Sequence, residues 1–164
     1  MTTPRTPRAH AIALVGTILV VLYAAFAALQ ILVLNPLAAA PGRSLAEIQA
    51  DMAAAGEPTG AVPAFIVLGI GVALALAFLI VVIRRGEVRP GAAVLGYALL
   101  LACGAPAYFF ASFGAGMSLA DTYGISGGDH APWAKILYLV SAAALVVGAV
   151  SAATGTRRRG LEAA

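Results

Sequence analysis

The sequence predicts an all-α integral membrane protein, a single domain over residues 1–164 built on four transmembrane helices. Three observations predict it. Charged residues make up 10% of the 164 residues and hydrophobic ones 62%, with a mean hydropathy of +0.96. A water-soluble domain carries about 25% charged residues to solvate its surface, so lipid is the expected solvent for most of this chain. Second, the apolar residues gather in four runs, 11–34, 62–83, 92–113 and 136–153, none containing Asp, Glu, Lys, Arg or His. A helix needs roughly 20 residues to cross a hydrocarbon core of about 30 Å. Third, no run alternates polar and apolar positions as a membrane barrel strand would.

Taken in order, the first run follows Arg5 and Arg8 and precedes "AAAPG". It is longer than the roughly 7–15 apolar residues of a secretory leader, and the residue after its small-residue motif is Pro41. A retained span is expected. Gln30 and Asn35 lie near its outer end, where an amide either bonds a neighbouring helix or reaches interfacial water. Asn35-Pro36 reads as the helix exit, because the residue before proline disfavours the α region.

The stretch that follows, "PGRSLAEIQADMAAAGEPTG", is the longest polar interval. Ser44 with Glu47 three residues on forms a capping box, each side chain meeting a backbone donor of the first turn. Gly56 supplies a C-terminal stop. Within 45–55, Leu45, Ile48, Met52 and Ala55 share one face while Glu47 and Asp51 occupy another. This predicts a short amphipathic helix that lies on the outer surface or caps the bundle.

The second span ends at Arg84 and Arg85. In the third, Pro106 removes one backbone hydrogen bond and kinks the helix, and Gly104 beside it permits close approach of a neighbour. Small residues at four-residue spacing, Gly69/Ala73/Ala77 in the second span and Ala144/Gly148/Ala152 in the fourth, permit tight contacts. A second outer loop, 114–135, carries Trp133 before the fourth span, which ends at Arg157, Arg158 and Arg159.

Counting Lys and Arg in the flanks sets the expected orientation. Arg5, Arg8, Arg84, Arg85, Arg89, Arg157, Arg158 and Arg159 fall on one side, and Arg43 and Lys135 on the other. Both termini are therefore expected in the cytoplasm. With Glu87 and Glu162 the inner side carries about +6, which suits anionic headgroups; Arg84, Arg85, Arg157, Arg158, Arg159 and Trp133 read as lipid-headgroup anchors. With Glu47, Asp51, Glu57, Asp121 and Asp129 the outer side carries −3. The net charge of +3 is thus no nucleic-acid signal. Nine arginines against one lysine, with abundant alanine, fit a GC-rich bacterial genome and a multi-pass protein of its plasma membrane.

An offset of 74 residues aligns Gly116-x-Ser118-Leu119-Ala120-Asp121 with Gly42-x-Ser44-Leu45-Ala46-Glu47, and Arg158-Arg159-Gly160 with Arg84-Arg85-Gly86. It also pairs Tyr97 with Tyr23 and Pro132 with Pro58. The sequence therefore reads as two hairpin repeats, 11–86 and 92–160, with Ser118 and Asp121 as a second capping pair. Parallel repeats of this kind are related by an axis along the membrane normal.

Little here carries chemistry. Ionisable residues inside a membrane mark ion and substrate paths, and the four runs contain none. His10 and His130 lie at opposite ends and cannot ligate one haem, and the single Cys103 has no partner. Asp121, Asp129 and His130 are weak candidates for a divalent cation, although solvated loop charges explain them better. No nucleophile–base–oxyanion set is present, so neither an enzyme nor a cofactor is expected. The expected role is that of an accessory or structural subunit of a larger respiratory, transport or envelope complex, surrounded by the lipid bilayer and bound to a membrane-protein partner or to copies of itself. The alternative is a small transporter or channel with its pathway at an oligomer or repeat interface.

Overall fold

A computed structural model of the chain describes the backbone of residues 6–162 and the side chains of residues 7–154. Its elements are α1 (Thr6–Leu29), a π-helical turn (Gln30–Leu34), α2 (Asn35–Ala39), α3 (Leu45–Ala54), α4 (Ala61–Arg85), α5 (Pro90–Ala102), α6 (Gly104–Tyr123) and α7 (Ala134–Glu162). Among the described residues, four helical stretches are long and apolar enough to cross a membrane: Pro7–Ala39, Ala61–Arg85, Pro90–Tyr123 and Ala134–Thr154. Large apolar side chains point outward along all of them, as in Leu22, Ile70, Phe110 and Leu139. That is the pattern of helices solvated by lipid.

The first span does not end at Asn35-Pro36. The Asn35 N–H reaches back five residues to the Gln30 carbonyl, and this wider turn draws the preceding carbonyls away from the Pro36 ring. Pro36 then stands in the first turn of α2, where its missing N–H costs nothing. Asn35 keeps helical angles, φ −68° and ψ −47°. The chain therefore stays helical to Ala39.

The third span breaks at Cys103, just before Pro106. The proline has no N–H for the Ala102 carbonyl, so the helix opens in the turn ahead of the ring. Gly104 at this break seats the Tyr23 ring: a Cβ there would lie 2.7 Å from Tyr23 Cζ. Beyond the break, α6 runs through Tyr123, well past the expected end at residue 113. It stops at Gly124, whose φ of +65° turns the chain and whose N–H bonds the Ala120 carbonyl at 2.8 Å.

This extension corrects the second capping pair. Ser118 lies in the interior of α6 and is buried, where its carbonyl accepts a hydrogen bond from Thr122 Oγ1 at 2.7 Å. Asp121 lies on the same helix and is exposed. A serine inside a helix has no free backbone donors to cap. Segments 42–47 and 116–121 thus share a residue pattern while adopting different conformations. Arg84 and Arg85 occupy the last turn of α4, and the side chains of Arg157, Arg158 and Arg159 lie outside the described residues.

α1 packs on α4 and α5, α5 on α7, and α6 on α4. Two apolar clusters fill the interior. One, toward the loop end, centres on Tyr23, Ile31, Leu68, Tyr108 and Leu137; the other, toward the termini, on Val20, Ala75, Val82 and Tyr97. Several polar side chains at membrane depth bond across helices. Tyr97 donates to the Ala75 carbonyl at 3.1 Å and meets the Thr17 hydroxyl at 2.8 Å, while Ser141 donates to the Tyr23 hydroxyl at 3.2 Å. Such bonds between membrane helices average about 0.6 kcal/mol, so close packing of small residues carries more of the stability. Gly148 of α7 is part of that packing: a Cβ there would lie 3.6 Å from the Ala98 methyl. Gly69 of α4 is not: nothing lies within 4 Å of its Cβ position.

Candidate functional site

The chemistry-bearing side chains collect at the end of the bundle opposite the termini, on two structures: helix α3 and the loop 124–133. Ser44 caps α3 and Glu47 completes a capping box. The Glu47 N–H donates to Ser44 Oγ at 3.3 Å, and the Ser44 N–H donates to Glu47 Oε2 at 2.7 Å. At the other end, Gly56 adopts φ +78°. The Gly56 N–H bonds the Ala53 carbonyl and the Glu57 N–H bonds that of Met52, the paired closure of a Schellman motif. Ile48 and Met52 are buried against Ala40 and Leu119, so this helix caps the bundle and turns its apolar face to protein. Asp51 fixes its outer flank, pairing with Arg43 and accepting from the Tyr123 hydroxyl at 2.7 Å.

The Ser44 amide and hydroxyl, helped by Arg43, hold the Glu47 carboxyl below the ordinary carboxylate range. A depressed pKa means the folded state prefers the ionised form. Its contribution is therefore complete above the ordinary carboxylate pKa and fades as the pH falls through the lowered value. We expect α3 to fray in acid below that range while the spans persist, visible as faster amide exchange confined to residues 45–54. Ser44→Ala is expected to produce the same local fraying at neutral pH, at a cost of about 1 kcal/mol. Equal exchange rates in the variant and the parent would refute the cap's role.

Between α3 and the spans lies an apolar pocket of about 90 Å³, walled by Leu32, Pro36, Ile48, Met52, Ala115 and Leu119. Gln49 and Thr59 also line it.

The loop 124–133 is fastened from below by residues of the first and third spans. Asn35 Oδ1 accepts the N–H of His130 at 2.6 Å and that of Ala131 at 3.3 Å. Gln30 Nε2 donates to the Ala131 carbonyl at 3.4 Å. The Tyr108 hydroxyl donates to Asp129 Oδ1 at 2.5 Å, and the Tyr138 ring meets the Tyr108 ring edge-on at 5.6 Å. Gln30 and Tyr108 are both fully buried, at 0% exposure. The loop also presses on α6: the Gly127 carbonyl lies 2.5 Å from where a Cβ on Gly116 would sit.

The amide pair expected at the outer end of the first span therefore both hold the loop, and neither reaches bulk water. The metal candidates do not converge. Asp129 turns to Tyr108, His130 Nε2 donates to the Ser126 carbonyl at 2.8 Å, and Asp121 is exposed on α6. Among the described residues no group of three or more His, Cys, Asp or Glu is gathered for a metal. Trp133 is exposed at the start of α7. Sequence reasoning missed two residues, Tyr108, which holds Asp129, and Tyr123, which holds Asp51. The available signal was the phenol of Tyr108 standing at a position deep enough to need a partner.

No protein-family model matches the chain, and no curated protein or solved structure resembles it closely enough to carry an argument.

Proposed function

We propose that this chain is a non-enzymatic accessory subunit of a larger membrane complex, with its termini in the cytoplasm and its loop end outside. The orientation rests on Arg8, Arg84, Arg85 and Arg89 at the termini end against a surplus of carboxylates at the loop end. The role rests on one observation: both connecting segments at the loop end are pinned to the bundle by side-chain hydrogen bonds. Asn35, Gln30 and Tyr108 hold the loop 124–133, and Asp51 ties α3 to α6. A free loop needs no such fastening, whereas a rigid acidic platform is what a docking partner reads at low entropic cost.

The test is purification of the full chain from its native membranes in mild detergent, followed by mass spectrometry of the particle. A membrane protein recovered in fixed stoichiometry is expected, and its recovery should fall when Asp51→Asn and Tyr123→Phe together release α3. A monodisperse particle without a companion from those membranes would overturn the reading.

A further inference from the structure

The apolar pocket beneath α3 has a floor and a mouth of different chemistry. Its floor includes Pro36, Ile48, Met52 and Leu119, all buried. Their side chains carry no strong donor or acceptor, whereas a buried water needs about three hydrogen-bond partners. A void left empty forfeits the dispersion contacts of its walls, so the space favours a hydrocarbon guest. At about 90 Å³ it is well below the ~300 Å³ at which pockets for whole small molecules begin, and no helix can enter it. A run of a few methylenes can.

The mouth is marked by the lining residues that reach the surface, Leu32, Leu45, Gln49, Thr59 and Ala61. Gln49 and Thr59 bring an amide and a hydroxyl to the rim, while Leu32 and Ala61 are apolar. The flanking spans end at Ala39 and begin at Ala61, which sets the rim at the boundary between hydrocarbon and headgroups. Deeper in the membrane, Leu29 lies three residues before Leu32 and Phe65 four after Ala61, so each shares a helix face with its rim residue. Both Leu29 and Phe65 point outward. Because α1 packs on α4, an apolar track leads from the mouth down the outside of this helix pair into the lipid.

We infer that the pocket holds the ester-proximal part of one acyl chain of a glycerophospholipid, drawn from the leaflet that α3 faces. The first methylenes lie against Ile48, Met52 and Leu119, and the rest of the chain follows the track past Leu29 and Phe65. The ester carbonyls accept hydrogen bonds from the Gln49 amide and the Thr59 hydroxyl. Helix α3 is thereby a clamp over one lipid, a role that needs no protein partner.

Photolabelling of the full chain tests this. The chain is reconstituted in vesicles of phosphatidylethanolamine and phosphatidylglycerol. These contain a trace of phosphatidylcholine with a diazirine close to the ester of one acyl chain, and adducts are mapped by mass spectrometry. Adducts are expected on Met52 and Leu119, which a lipid outside the pocket cannot touch because both are buried. Moving the diazirine to the far end of the chain should shift the adducts to the outward faces of the spans. Ala61→Leu, which fills the mouth, should lower floor labelling about tenfold, the effect of excluding roughly two methylenes. Val62→Leu, on the exposed lipid-facing side of α4, should label like the parent. Should Ala61→Leu fail to insert, Leu45→Phe narrows the mouth from the α3 side and decides in its place. The inference is overturned if the floor stays unlabelled while the span faces react, or if the filled mouth labels like the parent. It is equally overturned if a diazirine fatty acid labels the floor and the phospholipid does not, or if floor labelling vanishes as more chain is loaded, which would assign the pocket to a second copy. A partnerless particle in the purification above leaves these outcomes untouched, so the two readings fail separately.

Discussion

Gly60→Ala is expected to destabilise the protein by about 3 kcal/mol, from two costs that add at one position. Gly60 precedes α4 with φ +71° and ψ 6°, a left-handed conformation that costs a residue with a Cβ about 1–2 kcal/mol. It is also buried against α6: an added Cβ would lie 2.7 Å from the Ala115 Cβ and 2.8 Å from its backbone Cα and N. Backbone cannot swing aside as a flexible side chain does, so α4 or α6 must shift, and such overpacking costs about 1–3 kcal/mol. Gly56→Ala is the matched control. Its φ is +78°, yet nothing lies within 4 Å of its Cβ position, so it should lose only the backbone term, about 1 kcal/mol. Thermal unfolding in detergent followed by circular dichroism separates them. If both variants fell by the same amount, the close approach of α4 to α6 at Ala115 would be wrong.

That contrast also marks where sequence reading reached and where it stopped. The spans were legible because their signal is summed over some twenty residues, and no local error in it matters. The capping box at Ser44 was legible because both partners lie within one turn. The end of the third span was not: "GAGMSLADTY" has the glycines and the Ser-x-x-Asp spacing of a loop followed by a cap. Gly116 instead makes room for the Gly127 carbonyl, and Ser118 is small enough to be buried inside a helix. A residue type chosen for close packing looks, in one dimension, like a residue type chosen for a turn. Asn35-Pro36 misled for a related reason, since one wider turn at Gln30–Leu34 absorbs the proline and leaves no mark in composition. The candidate site was hidden most thoroughly. Gln30, Tyr108 and Asp129 are distant in the chain and meet only through the docking of the loop.

That docking yields the second large effect, at Asn35. One side-chain oxygen there serves two backbone donors, the N–H groups of His130 and Ala131, and Asn35 is itself only 6% exposed. Asn35→Leu leaves both donors facing an apolar side chain. At about 1–3 kcal/mol for each unsatisfied buried group, the loop cannot stay down at full cost, and it should instead lift toward water. Amide exchange at His130 and Ala131 is then expected to quicken by a factor of about 30 or more, since each 1.4 kcal/mol corresponds to tenfold. Asn35→Asp separates the lost acceptor from a lost shape: its carboxylate oxygen can take the same two N–H bonds, so protection of the loop should largely return. The spans gain their stability from packing on α4, α5 and α7, so their core amides should keep the parent's protection in both variants. An Asn35→Leu protein with the loop still protected would mean that Gln30 and Tyr108 suffice to hold it. Loss of protection along α1 as well would mean that Asn35 supports the π turn rather than the loop.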